Sequence, residues 1–216
     1  KIIPNGIFVD EFKEAKPFSE FTDGKINILF LGRLEKRKGL RYLLSAYSDL
    51  KWDFPNIRLI IAGGGNMDAE SHRIIGSRNP SDIVFTGEVS ERDKARYYRT
   101  ADIFCAPATG QESFGIVLLE AMAAGATIAA SRIDGFSNVI QDHKNSMMFT
   151  PKNVESLRGV LTQLITSPKL RDHLSGAAWK DVERYNWDTV ASEVISYYRQ
   201  LGAMTRSSRE FNGVTA

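Results

Sequence analysis

The sequence predicts an α/β domain: a Rossmann-like, doubly wound parallel sheet with helices on both faces, closed by C-terminal helices. Three observations predict it. Short β-branched runs alternate with longer helical patterns, with a period of roughly 25 residues that suits βαβ units. The runs are apolar throughout rather than alternating, as strands buried on both faces are. After about Pro151 the strand signals stop and only helical patterns follow.

In chain order, the predicted strands are Ile26–Leu31, Ile57–Ala62, Asp82–Thr86, Asp102–Ala106 and Ala126–Ser131. Helical patterns at Gly39–Leu50, Met67–Ser77, Ser90–Thr100 and Phe114–Ala124 lie between them. Right-handed crossovers place these helices on both faces of the sheet. Three further helices are expected at Val154–Thr166, Pro168–Tyr185 and Thr189–Leu201. Ser90 and Asn153 are candidate N-caps, and Pro168 after Ser167 suits a helix start. The segment from Met204 to Ala216 is polar and small, so a frayed or disordered tail is expected there.

Composition narrows the function. The chain has 216 residues and a net charge of +2, which gives no global case for nucleic acid as a partner. The single cysteine, Cys105, precludes an intramolecular disulfide and is compatible with a reducing cytoplasm. Its apolar neighbours make it a core residue of a strand. No run approaches the roughly 20 apolar residues of a membrane span. His72, His143 and His173 share no motif, and neither H-x-x-x-H, C-x-x-C nor D-x-D occurs. No metal site is expected.

Ligands of such sheets bind at the carboxyl ends of the strands, so the segments that follow the strands carry the candidates. Gly32-Arg33-Leu-Glu-Lys-Arg-Lys38-Gly39 is neither G-x-G-x-x-G nor a Walker P-loop. Arg33 and Lys38 suit a phosphate or diphosphate, and equally a solvated basic turn. Gly63-Gly64-Gly65 allows a tight turn or a close approach to a ligand. Glu91 and Lys94 fall in the first turn of a helix, where surface charges are ordinary.

The stretch Glu112-Ser-Phe-Gly-Ile-Val-Leu-Leu-Glu120 carries the strongest signal. The amides of Phe114, Gly115, Ile116 and Val117 would form a free helix start, which favours a phosphate. Eight residues of helix rise about 12 Å, so the two carboxylates could serve separate levels of one ligand. Glu120 sits in a run that is otherwise apolar on all sides. A buried carboxylate must meet a base, backbone donors or ligand hydroxyls, so an ion pair to an arginine and a ligand contact both remain open.

Taken together, Pro4-Asn5-Gly6, Gly32-Arg33 with Lys38-Gly39, the triple glycine, the two-glutamate stretch and Tyr185-Asn-Trp187-Asp188 resemble one family. It is the C-terminal, donor-binding half of retaining family 4 glycosyltransferases, which have the GT-B fold. The wording around Cys105 and Glu112 is most similar to bacterial phosphatidylinositol mannosyltransferases. The resemblance implies a nucleotide-sugar-binding domain over residues 1–204 with a flexible tail at 205–216. It implies that Arg33 and Lys38 hold the donor diphosphate and steady the leaving group, and that Glu112 contacts the transferred sugar. The amides of Phe114 to Val117 would bind phosphate or sugar oxygens, and Gly63 and Gly64 would also bind the donor. Glu120 would accept from the ribose hydroxyls, Val89 would meet the base through its backbone, and Glu91 and Lys94 would contact guanine.

The implied reaction is transfer of a hexose, mannose from GDP-mannose, to a lipid such as phosphatidylinositol or to a glycolipid. No cofactor or metal is implied. The acceptor would sit on a missing N-terminal half, with peripheral association at the inner face of the plasma membrane. A UDP-sugar-dependent glucosyl- or N-acetylglucosaminyltransferase is the alternative within the family, and a non-catalytic nucleotide-sugar-binding module the alternative outside it. A flavodoxin-like signalling domain fits the alternation of elements but leaves the basic turn and the paired glutamates without a role. One departure stands out: Phe8 occupies a position where the family often has aspartate, with Asp10 two residues later.

Overall fold

The computed structural model describes residues 2–211. Six strands form one parallel sheet: β1 (Ile26–Leu31), β2 (Ile57–Ala62), β3 (Ile83–Gly87), β4 (Ile103–Ala106), β5 (Thr127–Ser131) and β6 (Met147–Phe149). Their order is β3-β2-β1-β4-β5-β6. The chain therefore reverses direction across the sheet between β1 and β4, and the crevice outside their carboxyl ends is where such sheets bind ligands. This order also separates the fold from the flavodoxin-like one, in which β1 lies between β2 and β3.

Nine helices surround the sheet among the described residues: α1 (Val9–Lys13), α2 (Leu40–Asp53), α3 (Ala69–Arg78), α4 (Glu91–Thr100), α5 (Ile116–Ala124), α6 (Asp134–Ser137), α7 (Val154–Thr166), α8 (Pro168–Val182) and α9 (Trp187–Phe211). Alternate residues of β1 serve opposite faces. Ile28 and Phe30 pack with Leu43, Leu44 and Tyr47 of α2 and with Leu157 and Leu161 of α7. Leu29 packs on the other face with Phe12 of α1, Tyr98 of α4 and Leu118 and Met122 of α5.

The expected N-caps form. Ser90 accepts from the Asp93 amide at 3.1 Å and Asn153 from the Ser156 amide at 2.8 Å. Ser167 accepts from Leu170 at 3.2 Å, just ahead of Pro168 at the start of α8. Cys105 is a buried strand residue, and burial pushes its thiol pKa up.

The structure corrects the sequence expectation in four places. β3 is an edge strand, not one buried on both faces: Phe85 is 46% exposed. β6 has only three residues, too few to show a pattern, and the short helices α1 and α6 escape notice for the same reason. The helix expected from Pro168 to Tyr185 ends at Val182 and tightens into a 3-10 turn at Glu183–Tyr185. The helix expected from Thr189 to Leu201 starts at Trp187 and runs to Phe211. Of the tail expected at 205–216, residues 205–211 have helical backbone and 212–216 lie outside the described residues.

The two ends of the resemblance meet. The Ile7 amide donates to the Tyr185 carbonyl at 2.9 Å, and the Trp187 amide donates to the Ile7 carbonyl at 3.0 Å. Gly6 lies against the Trp187 ring so closely that a Cβ there would sit 2.6 Å from it. The glycine of Pro4-Asn5-Gly6 is thus needed by the tryptophan of the closing motif.

Candidate donor-binding site

Three loops converge outside the carboxyl ends of β1, β4 and β5. The first follows β1 and carries a 3-10 turn at Lys36–Lys38. The second, between β4 and α5, carries Gly110 to Gly115. Thr109 joins them, its amide and hydroxyl both donating to the Arg37 carbonyl at 2.8 and 3.1 Å. The third runs from β5 into α6. Gly135 on it is so close to the second loop that a Cβ would meet the Glu112 carbonyl at 1.8 Å. Between these last two loops opens a cavity of about 450 Å³, lined by Gly110 to Glu112 and Arg132 to Gly135. A larger concavity of about 680 Å³ beside Trp52 lies at the opposite, amino end of the strands.

Glu112 is the hub of the first charge cluster. Its Oε1 accepts from Lys38 Nζ at 2.6 Å and from Arg37 Nη1 at 2.8 Å. Its side chain is only 12% exposed, so both cations face it in a poorly solvated place. Arg37 continues to Glu35 at 2.9 Å, and Glu35 to Arg33 at 2.9 Å. Charges therefore alternate along Lys38, Glu112, Arg37, Glu35 and Arg33. Arg33 ends the row with a side chain 70% exposed, and does not reach Glu112. Arg37 was missed by sequence reasoning. It stood inside the basic turn, but no sequence spacing tells which of four bases turns inward.

Just beyond this cluster α5 begins. Its N-cap is Gly115, at φ 83°, and no side chain caps the helix. The left-handed backbone and the crowding of Phe136, 2.9 Å from a hypothetical Cβ, both demand glycine here. Ile116 is 43% exposed at the helix start, while the rest of α5 from Leu118 to Ala124 is buried. The expected helical separation of the two glutamates holds only from Ile116 onward, because Glu112 lies on the loop.

Glu120 forms the second cluster. It is 6% exposed. Lys94 Nζ donates to Oε1 at 2.7 Å, and the Tyr98 hydroxyl donates to Oε2 at 2.9 Å. Lys94 also holds Glu91 at 2.5 Å, and the Glu91 side chain is 86% exposed. Burial would lower the Lys94 pKa, but the hydrogen bonds and charges of Glu120 and Glu91 outweigh it and hold the pKa up. The question of what a carboxylate does among leucines has a direct answer: it meets a lysine and a tyrosine, not the arginine considered from sequence. Its burial alone therefore does not require a ligand.

The remaining candidates fall near these two clusters. Gly63 and Gly64 are stitched to the β1 loop. The Leu34 amide donates to the Gly64 carbonyl at 2.9 Å, and a Cβ on Gly63 would strike the Gly32 carbonyl at 2.1 Å. Backbone crowding within the protein accounts for Gly63. Val89 is half-buried against the α4–α5 side of the core, as are Phe114 and Val117. The Phe114 ring lies 6.1 Å from that of Tyr185, edge to face, and so links the site loop to the closing motif.

Comparison with known proteins decides the family. Residues 11–181 match the model of the glycosyl transferases group 1. The chain belongs to that family. Among its group 1 relatives is the phosphatidyl-myo-inositol mannosyltransferase of Mycobacterium tuberculosis, 38% identical over 204 residues that cover 92% of this chain and 53% of the relative. Another is a glycosyltransferase of Methanocaldococcus jannaschii described as uncharacterized, 32% identical over 212 residues, with coverage of 92% and 53%. The chain thus spans about half the length of the curated relatives it matches. Among solved structures, Anabaena HepE in complex with UDP superposes with a TM-score of 0.83 at 18% identity, covering 93% of this chain and 57% of that one. Sucrose-phosphate synthase from Thermosynechococcus elongatus gives 0.79 at 24%, with coverage of 94% and 53%. These likenesses bear out the Rossmann-like α/β fold of the domain.

Proposed function

We propose that this chain is the donor-binding half of a retaining mannosyltransferase. It would use GDP-mannose, with a phosphatidylinositol-type lipid or a glycolipid as acceptor. One observation carries the reading: two separate base–carboxylate clusters bracket the uncapped start of α5. Lys38, Arg37 and Glu112 stand on the loop side, and Lys94, Tyr98 and Glu120 on the helix side. A nucleotide sugar has matching parts in matching order: sugar, diphosphate, ribose and base.

In this reading Lys38 and Arg37 leave Glu112 for the diphosphate, joined by the exposed Arg33. The amides from Phe114 to Val117 complete the anion site at the helix start. Bases placed there would stabilise charge as it develops on the leaving diphosphate. Glu112, released from its bases, would take hydroxyls of the transferred sugar in the cavity below Gly135. Glu120 would accept from the ribose, with Val89 and Glu91 toward the base. Support for mannose and for an inositol lipid comes from the mycobacterial relative, a phosphatidyl-myo-inositol mannosyltransferase. No helix among the described residues is long and apolar enough to cross a membrane, so the reading takes membrane attachment as peripheral.

The acceptor would be held by a second domain, so the 216-residue chain is expected to bind nucleotide and transfer nothing. Calorimetric titration with GDP, UDP and ADP tests the donor site. Saturable binding strongest for GDP is expected. Stronger binding of UDP would replace the mannosyl donor by a UDP-sugar, and no binding of any of the three at millimolar concentration would remove the assignment.

A further inference from the structure

We propose that Tyr98 is a positioning residue for donor recognition: its hydroxyl fixes the Glu120 carboxylate in the orientation that receives both ribose hydroxyls. The inference rests on the reading of Glu120 as the ribose acceptor.

Tyr98 is wholly buried. Its ring is held edge-on by Phe104 at 5.1 Å and by Phe12 at 6.0 Å. Phenylalanine would satisfy that packing equally, so aromatic contact alone does not call for a hydroxyl. The hydroxyl is spent on Glu120 Oε2 at 2.9 Å, in a buried hydrogen bond. Burial, and then the adjacent Glu120 charge, push the phenol pKa well above its ordinary value. It therefore remains a donor at any working pH.

The carboxylate geometry gives this bond its consequence. An ionised carboxylate offers about four acceptor positions on two oxygens. Lys94 takes one on Oε1 and Tyr98 one on Oε2. That leaves roughly one position on each oxygen, which matches the two adjacent hydroxyls of a ribose. The two tethers differ in kind. Lys94 is a flexible chain shared with the exposed Glu91. Tyr98 is a rigid ring locked in the core, so it sets the direction of the carboxylate plane. A hydrogen bond from α4 thus prepares α5 for a ligand that Tyr98 itself never touches.

The test compares GDP with 2′,3′-dideoxy-GDP, by calorimetry, on the wild-type chain and on Tyr98→Phe. Wild type is expected to prefer GDP by about tenfold or more, the value of hydrogen bonds to a charged group. In Tyr98→Phe the preference is expected to fall below about threefold, with affinity for the dideoxynucleotide unchanged. A Glu120→Gln background should absorb the effect, so that adding Tyr98→Phe there changes the preference little. Any loss of folded fraction weakens both nucleotides equally and cancels in the ratio. A parallel loss for both nucleotides, or an unchanged preference, would overturn the positioning role. A wild type that binds both nucleotides equally would remove the ribose role of Glu120 itself, which is a separate and recognisable result.

Discussion

At the residue scale, the bases of the candidate site are already paired with carboxylates. Glu112 occupies Lys38 and Arg37, two bases assigned to the diphosphate, at 2.6 and 2.8 Å. Phosphate must compete with a carboxylate already in place. Replacing Glu112 by Gln removes the competing charge but keeps the side-chain shape. Inorganic pyrophosphate should then bind about two- to fivefold more tightly than to wild type, the range of a partly exposed ion pair. Calorimetry at low ionic strength reads this directly. Unchanged or weaker pyrophosphate binding would mean that these bases serve the loop and not a phosphate. The sequence showed the charge types here but not their pairing. It could not rank Arg37 over Arg33, because the choice is made by Thr109 clamping the Arg37 carbonyl from another loop. Glu120 was legible as an expensive buried charge. Its partners, Lys94 and Tyr98, were not, since they lie on α4, more than twenty residues away in sequence, and only the tertiary fold brings them to α5.

At the element scale, the sheet is tied at its amino ends by a third charge cluster. Asp82 precedes β3 and accepts from Lys25, ahead of β1, at 2.6 Å and from Lys51 on α2 at 2.7 Å. Hydrogen bonds from Lys25 and Lys51 lower its pKa from 3.8 to about 2. A carboxylate with a depressed folded pKa contributes stability that is present above its unfolded pKa and lost as pH falls toward the folded one. Asp82 should therefore stabilise the domain above about pH 4 and cease to do so by about pH 2. Asp82→Asn should cost about 1 kcal/mol at neutral pH after solvent screening, with the difference from wild type closing as pH falls from 4 to 2. Urea denaturation across that window measures it, and a pH-independent gap would contradict the account. Elements long enough to repeat a pattern were found from sequence, α7 to the residue, although the end of α8 and both ends of α9 were misplaced. Three-residue β6 and five-residue α1 were not, because their pairing and packing are tertiary facts.

At the scale of the whole molecule, the strand order places every candidate on one rim. β1 and β4 are neighbours although three helices and two strands separate parts of them in sequence, and their loops share Glu112. The alternation of elements made this class of fold readable, and motif order made the family readable. The sequence could not supply the depth of Glu112, the outward reach of Arg33, or the contact between Gly6 and Trp187 that joins the first motif to the last. The central claim is that one nucleoside diphosphate bridges the two clusters at the start of α5. A crystal structure of this chain with GDP tests it most directly. The account predicts the diphosphate on Lys38, Arg37 and the amides from Phe114 to Val117, with Glu112 released and the ribose hydroxyls on Glu120. Nucleotide bound elsewhere, with Glu112 still holding both bases, would contradict it.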